Sequence, residues 1–353
     1  MSDSAAQPSA AISRTATYVA AGRAVGAREP DPSVRNPDNL AEKLLGDPST
    51  LTLQHPVVRA LSLPYDEAMR DVEVVNIVRT MLIRTRFIDD ALTRAVAAGA
   101  TQLAVLGAGF DSHAYRCQQL LASVKVFEVD RPATQALKRQ RVDAVLGGPP
   151  TNLTYVPIDF QREDVRDALT RHGYDPTART FFILEGVTMY VPEDAVRGTF
   201  RFVGSHPPGS GIVFDFVYRA MIDFLVNTNI DTIPAASRPY FERFKNLIKD
   251  EPWIFGVPVG GERDFLAEFG LELREAFMVG GEESLKRFVT KADGTQVGAE
   301  AIAAAMARMA QAAREAGEAG AQWTRMSPEQ MREQQRLMAY QLAEAVVAPA
   351  RRV

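Results

Sequence analysis

Cysteine is almost absent: among 353 residues there is one, Cys117. No disulfide can form within the chain, and a single thiol suits a reducing compartment. As a small apolar-compatible residue, Cys117 reads as packing rather than chemistry. Histidine is scarce too, with four residues, and none stands near cysteine or acid at metal-ligand spacing. No catalytic metal is implied. No apolar run approaches the ~18 residues of a membrane span. The opening "MSDSAAQPSAAISR" lacks a basic stretch followed by an apolar one, so it does not read as a secretory signal. These absences lead to the expectation of a soluble, cytoplasmic protein without a membrane partner. An excess of basic residues is also missing. The formal net charge is -4, which argues against a general nucleic-acid binder.

What is present is a large apolar fraction, 46% of the chain, enough for a substantial core. Residues 1–12 are small and polar and read as disordered. Residues 13–98 read as a helical N-terminal cap. It holds a short helix from Ser13 to Ala27, a proline-bearing loop, and a long amphipathic stretch whose apolar face includes Val75, Val78, Met81 and Leu82. From residue 101 the pattern changes. "QLAVLGAG", "VKVFEVDRP", "NLTYVPIDF", "TFFILEGVTMY" and "GSGIVFDFV" read as five strands separated by helices. That alternation predicts an α/β fold with a doubly wound, mostly parallel sheet over residues 99–297. Residues 219–250 interrupt it with amphipathic helix carrying exposed-looking aromatics (Phe224, Tyr240, Phe241, Phe244), as a helical lid insertion would. "LELREAFMVG" and "LKRFVTKADG" read as closing strands. The extension 298–353 reads as two helices, the second opened by Ser327 as N-cap, Pro328 and Gln330.

In an open parallel sheet, ligands bind beyond the carboxyl ends of the strands. Polar residues gather there: the Gly107–Asp111 turn, Asp130, Asp159 and Glu185. Gly107 and Gly109 let a ligand approach the backbone. Asp130 can accept from both hydroxyls of a ribose. Asp159 can accept from an adenine amino group, with Phe160 against the ring. A dinucleotide wants the third glycine of G-x-G-x-x-G and a free helix N-terminus for its pyrophosphate. Here "FDS" follows Gly109, and Asp111 would repel phosphate. A ribose and adenine without phosphate, and with a cationic centre, fits better: S-adenosylmethionine. Each feature has a plainer reading, as a tight turn or a helix cap. Four in order on successive strands are harder to explain that way.

Together "RTRFIDDAL", "LAVLGAGFDSHAYR", "VFEVDRP", "YVPIDF" and "ILEGVTMYV" resemble the leucine carboxyl methyltransferase family, in particular its bacterial branch of S-adenosylmethionine-dependent methyltransferases. The likeness covers about residues 13–295. It implies a Rossmann-like class I methyltransferase fold and a set of cofactor contacts. These are Arg84 on the cofactor carboxylate, Gly107 and Gly109 at the turn, Asp130 on the ribose, Asp159 and Phe160 at the adenine, and Glu185 near the methionine portion. Arg14 is the nearest match to a basic residue that folds over the cofactor. Two further residues rest on position alone. Tyr190, just past Glu185, could face the acceptor or simply pack. His113 could act as a base or face solvent.

Methyl transfer from a sulfonium is an in-line displacement that needs positioning and exclusion of water. A carboxylate acceptor needs no base, whereas a hydroxyl or amine does. With no convincing base in the sequence, the expectation is O-methylation of a small-molecule carboxylate or hydroxyl, with a thioether as another self-sufficient nucleophile. Methylation of a protein C-terminus, an NAD-dependent oxidoreductase and a non-catalytic cofactor-binding protein are the alternatives.

Overall fold

The computed structural model describes residues 13–158, 163–233, 238–315, 327, 329, 333 and 336–349. Among them, seven strands form one sheet: β1 (Gln102–Leu106), β2 (Lys125–Asp130), β3 (Leu153–Pro157), β4 (Thr180–Leu184), β5 (Gly211–Phe216), β6 (Leu271–Met278) and β7 (Gln341–Val347). Their spatial order is β3-β2-β1-β4-β5-β7-β6. The first five are parallel, and β7 runs antiparallel to both of its neighbours. This is the doubly wound, mostly parallel sheet expected from the alternation. The order reverses between β1 and β4, and the crevice at that switch point opens at the carboxyl ends of the strands.

β1, β4 and β5 are buried along their whole length. That explains their continuous apolar runs, since helices cover both faces of a parallel sheet. β6 instead mixes buried and exposed positions, with Glu272 and Arg274 outward, as suits an edge strand guarded by charge.

The cap consists of the helix Arg14–Gly26, three short α-helices, a 3-10 turn and the long helix Val72–Ala97. Ser13 caps the first helix by accepting from the Ala16 N–H at 3.1 Å, and Asp71 caps the long one through the Glu73 N–H at 2.8 Å. The two helices cross closely. A Cβ on Gly22 would lie 2.7 Å from Ile77 Cγ1, so the crossing needs a residue without one. The long helix lays its apolar face against the sheet. One hydrophobic cluster joins Ala20, Ile77, Phe87, Val105, Ile183, Val213 and Leu342.

Several expectations are corrected. "LKRFVTKADG" is not a strand: it forms the end of the helix Glu282–Phe288 and a turn closed by a bridge between Thr290 and Gln296. Leu285 and Phe288, three apart, turn one face inward there, which is a helical spacing. The helix expected at the start of the extension is present at Ala299–Glu315, but Gln341–Val347 is a strand, inserted between β5 and β6. Pro328 and Gln330 lie outside the described residues, as do residues 1–12. The interrupting segment forms helices Arg219–Asn227 and Arg238–Leu247. Its aromatics are not all exposed: Phe241 is buried with Leu225, Ile233 and Ile248, and Phe224 and Phe244 pack on them.

Candidate active site

The carboxyl edge of the sheet is crowded with charge. After β1 the chain turns at Gly107, whose N–H donates to Val129 O at 2.8 Å. Gly107 has φ +75°, and a Cβ there would lie 2.5 Å from Val187 Cγ2. Glycine is therefore required both by the backbone and by the close approach of the segment after β4. Asp130, at the end of β2, accepts from the Gly109 N–H and, at 2.6 Å, from the Arg131 N–H. Burial pushes its carboxyl above the usual range, against those two hydrogen bonds. Each carboxylate oxygen keeps lone-pair capacity for a further donor. β3 leaves the sheet alongside: the Ile158 N–H donates to Asp130 O at 2.9 Å. Asp159 and Phe160, which follow, lie outside the described residues.

Arg84 and Glu185 meet, as both were expected to line one site. Arg84 Nη2 is 2.5 Å from Glu185 Oε1. Its Nη1 reaches Tyr340 Oη at 3.2 Å and Asp215 Oδ2 at 3.4 Å. The guanidinium is 3% exposed, and its Nε–H is buried without an acceptor among the described residues. A buried donor without a partner costs free energy unless something accepts from it. Arg86, two positions on, turns to the 28–39 loop and donates to the carbonyls of Arg35 (2.8 Å) and Pro32 (3.1 Å).

The basic residue of the first helix that reaches this cluster is Arg23 rather than Arg14. Arg23 Nε donates to Asp38 Oδ2 at 2.8 Å, Nη2 donates to Phe110 O at 3.0 Å, and Nη1 lies 3.7 Å from Glu185 Oε1. Arg14, half-buried at the start of that helix, pairs instead with Asp250 at the end of the 219–250 segment at 3.3 Å. Nearby, Ser13 and Thr15 both donate to Glu251, Ser13 at 2.8 Å. The start of the first helix is thus tied to the segment that follows helix Arg238–Leu247.

His113 is not a solvent-facing base. It is buried between two carboxylates, with Nδ1 2.6 Å from Asp111 Oδ2 and Nε2 3.0 Å from Asp89 Oδ1. Burial alone would lower its pKa, but Asp111 and Asp89 outweigh that and lift it to about 9. An imidazole that stays protonated at neutral pH cannot accept a proton there. Asp89 also takes two hydrogen bonds from Arg116, at 2.8 and 2.6 Å. The cluster fastens the Gly107–Asp111 turn to the long helix.

Tyr190 is half-buried and packs with Met189, Met221, Trp253 and Tyr340, its ring edge-on to Trp253 at 6.4 Å. It belongs to a small apolar cluster built on Met189, Val217 and Ile222. Cys117 is half-buried, and burial pushes its thiol up to about 11, which leaves it inert.

Sequence reasoning missed Arg23, Asp215 and Tyr340. Two left a signal: Arg23 stands in the small-residue run "AAGRAVG" and Asp215 in the apolar strand "GIVFDF". A charge inside such a run must find a buried partner. Tyr340 left none.

Against known proteins, the profile of the leucine carboxyl methyltransferase family matches residues 16–204. A protein of Mycolicibacterium vanbaalenii, named as an S-adenosyl-L-methionine-dependent methyltransferase, is 32% identical over 236 residues, 63% of this chain and 72% of that protein. A similarly named protein of Bacillus subtilis is 36% identical over 152 residues, 43% of this chain and 50% of its own.

Proposed function

The chain belongs to the leucine carboxyl methyltransferase family, and from that premise we propose that it moves a methyl group from S-adenosyl-L-methionine to a carboxylate or hydroxyl oxygen of a small molecule. It is an S-adenosyl-L-methionine-dependent methyltransferase; the acceptor is the proposed part. Membership replaces the NAD-dependent alternative.

One observation carries the reading: the carboxyl edge brings together a glycine turn, a strand-end acid with spare lone pairs and a buried guanidinium with an orphan donor. Gly107 and Gly109 leave room at the backbone. Asp130 accepts from the ribose hydroxyls. The Nε–H of Arg84 is the donor left for the cofactor carboxylate, and Glu185 is an acid for its ammonium. Arg23 holds Glu185 and the Phe110 carbonyl in register. Asp159 and Phe160 remain assigned to the adenine. When bound, the cofactor supplies an electrophilic methyl group on a sulfonium. The protein's part is to hold the acceptor in line about 3 Å away and to exclude water. The contacts of Ser13 and Thr15 with Glu251 close the crevice over Tyr190, which favours a small acceptor over a protein terminus.

Calorimetry tests the reading. S-adenosylhomocysteine is expected to bind and NAD is not. Asp130→Ala is expected to weaken S-adenosylhomocysteine at least about tenfold, for loss of charge-assisted hydrogen bonds worth about 1.5–3 kcal/mol each. Binding of NAD alone would sink the proposal, and binding without turnover of methyl-labelled cofactor would leave a non-catalytic binder.

A further inference from the structure

Asp215 and Tyr340 are given no direct contact with the cofactor, yet they stand in the same crevice, bonded to Arg84. Both lie outside residues 16–204 matched by the family profile. Asp215 is on β5, 1% exposed. Its two carboxylate oxygens accept from the Gly186 N–H at 2.8 and 2.9 Å. Tyr340 immediately precedes β7. Because β7 is antiparallel to β5 and Gln341 pairs with Phe216, Tyr340 falls at the carboxyl edge. Its hydroxyl donates to Asp215 Oδ2 at 2.5 Å and accepts from Arg84 Nη1 at 3.2 Å. Like Tyr190, Met221 and Trp253, its ring packs against the buried cluster of Met189, Val217 and Ile222. The carboxylate is enclosed by the fold while Tyr340 is half-buried, so the phenol is its link to the crevice.

We propose that Tyr340 and Asp215 form a proton relay, and that the acceptor atom is therefore a hydroxyl oxygen rather than a carboxylate. The inference rests on the methyltransferase reading. The acceptor hydroxyl donates its hydrogen bond to Tyr340 Oη while its oxygen bonds to the methyl carbon. The breaking S–C bond leaves its electron pair on sulfur, which becomes a neutral thioether. The acceptor proton passes to Tyr340 Oη, and the proton Tyr340 held passes to Asp215. One positive charge and one negative charge disappear together.

The surroundings suit this role. The charged and titratable groups facing Asp215 are Arg84 on the long helix, Glu185 beyond β4, Tyr340 before β7, and Tyr190. Burial pushes Asp215 up to about 6, partly offset by Arg84, Tyr340 and the Gly186 N–H and reinforced by Glu185. It is thus ionised at neutral pH and close enough to accept a proton. Burial and Asp215 push the phenol of Tyr340 well up, so it carries a proton without losing one on its own. A carboxylate acceptor would need no relay and would meet the like charges of Asp215 and Glu185.

The test uses the full chain. Methyl-tritiated S-adenosylmethionine is incubated with the protein and an extract of the source cells, and the labelled product is treated with mild alkali. Methyl esters release methanol under these conditions and ethers do not. Alkali-stable label is expected; label released entirely as methanol would overturn the proposal. With that product's acceptor, Tyr340→Phe is expected to lower kcat by roughly 100- to 10,000-fold, the usual range for a lost general base. KM and S-adenosylhomocysteine affinity should stay within about twofold in each comparison. An unchanged kcat overturns the relay. Infrared titration of the cofactor-free protein gives a second readout. A carboxyl absent from Asp215→Asn should titrate near about 6 and move upward in Tyr340→Phe, which lacks the hydrogen-bond donor; a carboxyl that does not move counts against the coupling. Failure of the unaltered protein to bind S-adenosylhomocysteine would instead sink the methyltransferase reading.

Discussion

His113 sits between Asp111 and Asp89, and its charge has a consequence for stability. Its folded pKa, about 9, lies above the ordinary 6.5. The stabilisation is fully present below the unfolded value and is lost as pH rises through the folded one. The melting temperature is therefore expected to fall between about pH 6.5 and 9. His113→Asn should melt lower at pH 6 and show a smaller fall across that window; parallel melting curves for the two proteins would refute the assignment. Arg84 and Arg86 give a second residue-level contrast. A lysine at position 84 keeps the charge but not the planar fork. Arg84→Lys should weaken S-adenosylhomocysteine roughly tenfold, in line with the loss of a charged hydrogen bond, and Arg84→Ala more. Arg86→Ala, which loses only loop carbonyls, should change affinity less than about twofold, judged against that same scale. Titration of all three decides it. At this scale the carboxyl-edge positions of Gly107, Asp130 and Glu185 were legible, because the carboxyl edge of a parallel sheet is a physical address. Arg23 was harder to read than Arg14, since only packing shows which arginine on a helix turns inward.

Between β2 and the helix Pro132–Leu146 lies an ion pair with almost no water. Lys138 Nζ is 2.8 Å from Glu128 Oε2, both side chains being 1% exposed, and Tyr115 Oη donates to the same oxygen at 3.3 Å. Burial pushes Glu128 up to about 7, against the pull of Lys138. Breaking such a pair leaves one charge stranded and costs about 3–5 kcal/mol, whereas replacing both partners by apolar groups is often near neutral. Lys138→Met should lose stability in that range by urea denaturation, and Glu128→Leu with Lys138→Met should recover most of it. If the double variant is as unstable as the single, the strain lies elsewhere. The elements themselves were unevenly legible. β1, β2, β4 and β5 announced themselves as short apolar runs. β7 did not: "QLAEAVV" sets glutamine, leucine, glutamate and two alanines, which favour helix, beside two valines. It is a strand because two neighbours offer it hydrogen bonds, and because Glu344 meets Arg94 and, at 3.3 Å, Arg274. Propensity yields to tertiary pairing.

The cap and the sheet do not have separate cores. Ala20 and Val25 of the first helix belong to the same apolar cluster as Val105, Ile183 and Leu342 of the sheet. A chain beginning at residue 99 would expose one face of the sheet to water, and parallel sheets need both faces covered. It is expected to lack a cooperative thermal transition and near-ultraviolet dichroism, while residues 13–353 show one transition. A well-folded shorter chain would show that the sheet stands alone. Arg23 makes the same point about activity: a residue from the cap holds Glu185 at the crevice.

The placement of β7 also sets a schedule. β5 ends at Phe216 and its partner β7 begins at Gln341, so 124 residues separate them. At about 5–20 residues per second, a ribosome takes roughly 6–25 s to add that stretch. Once β6 is complete at Met278, β5 and β6 have been synthesised but the strand between them has not. The newborn chain carries two open strand edges, and Asp215 waits without its phenol. Chains stalled on the ribosome near residue 300 should therefore be cut readily by protease within 200–280, and released full-length chains should resist. The interval is when this protein most needs a chaperone over its sheet, and when a slower ribosome would do it the most harm.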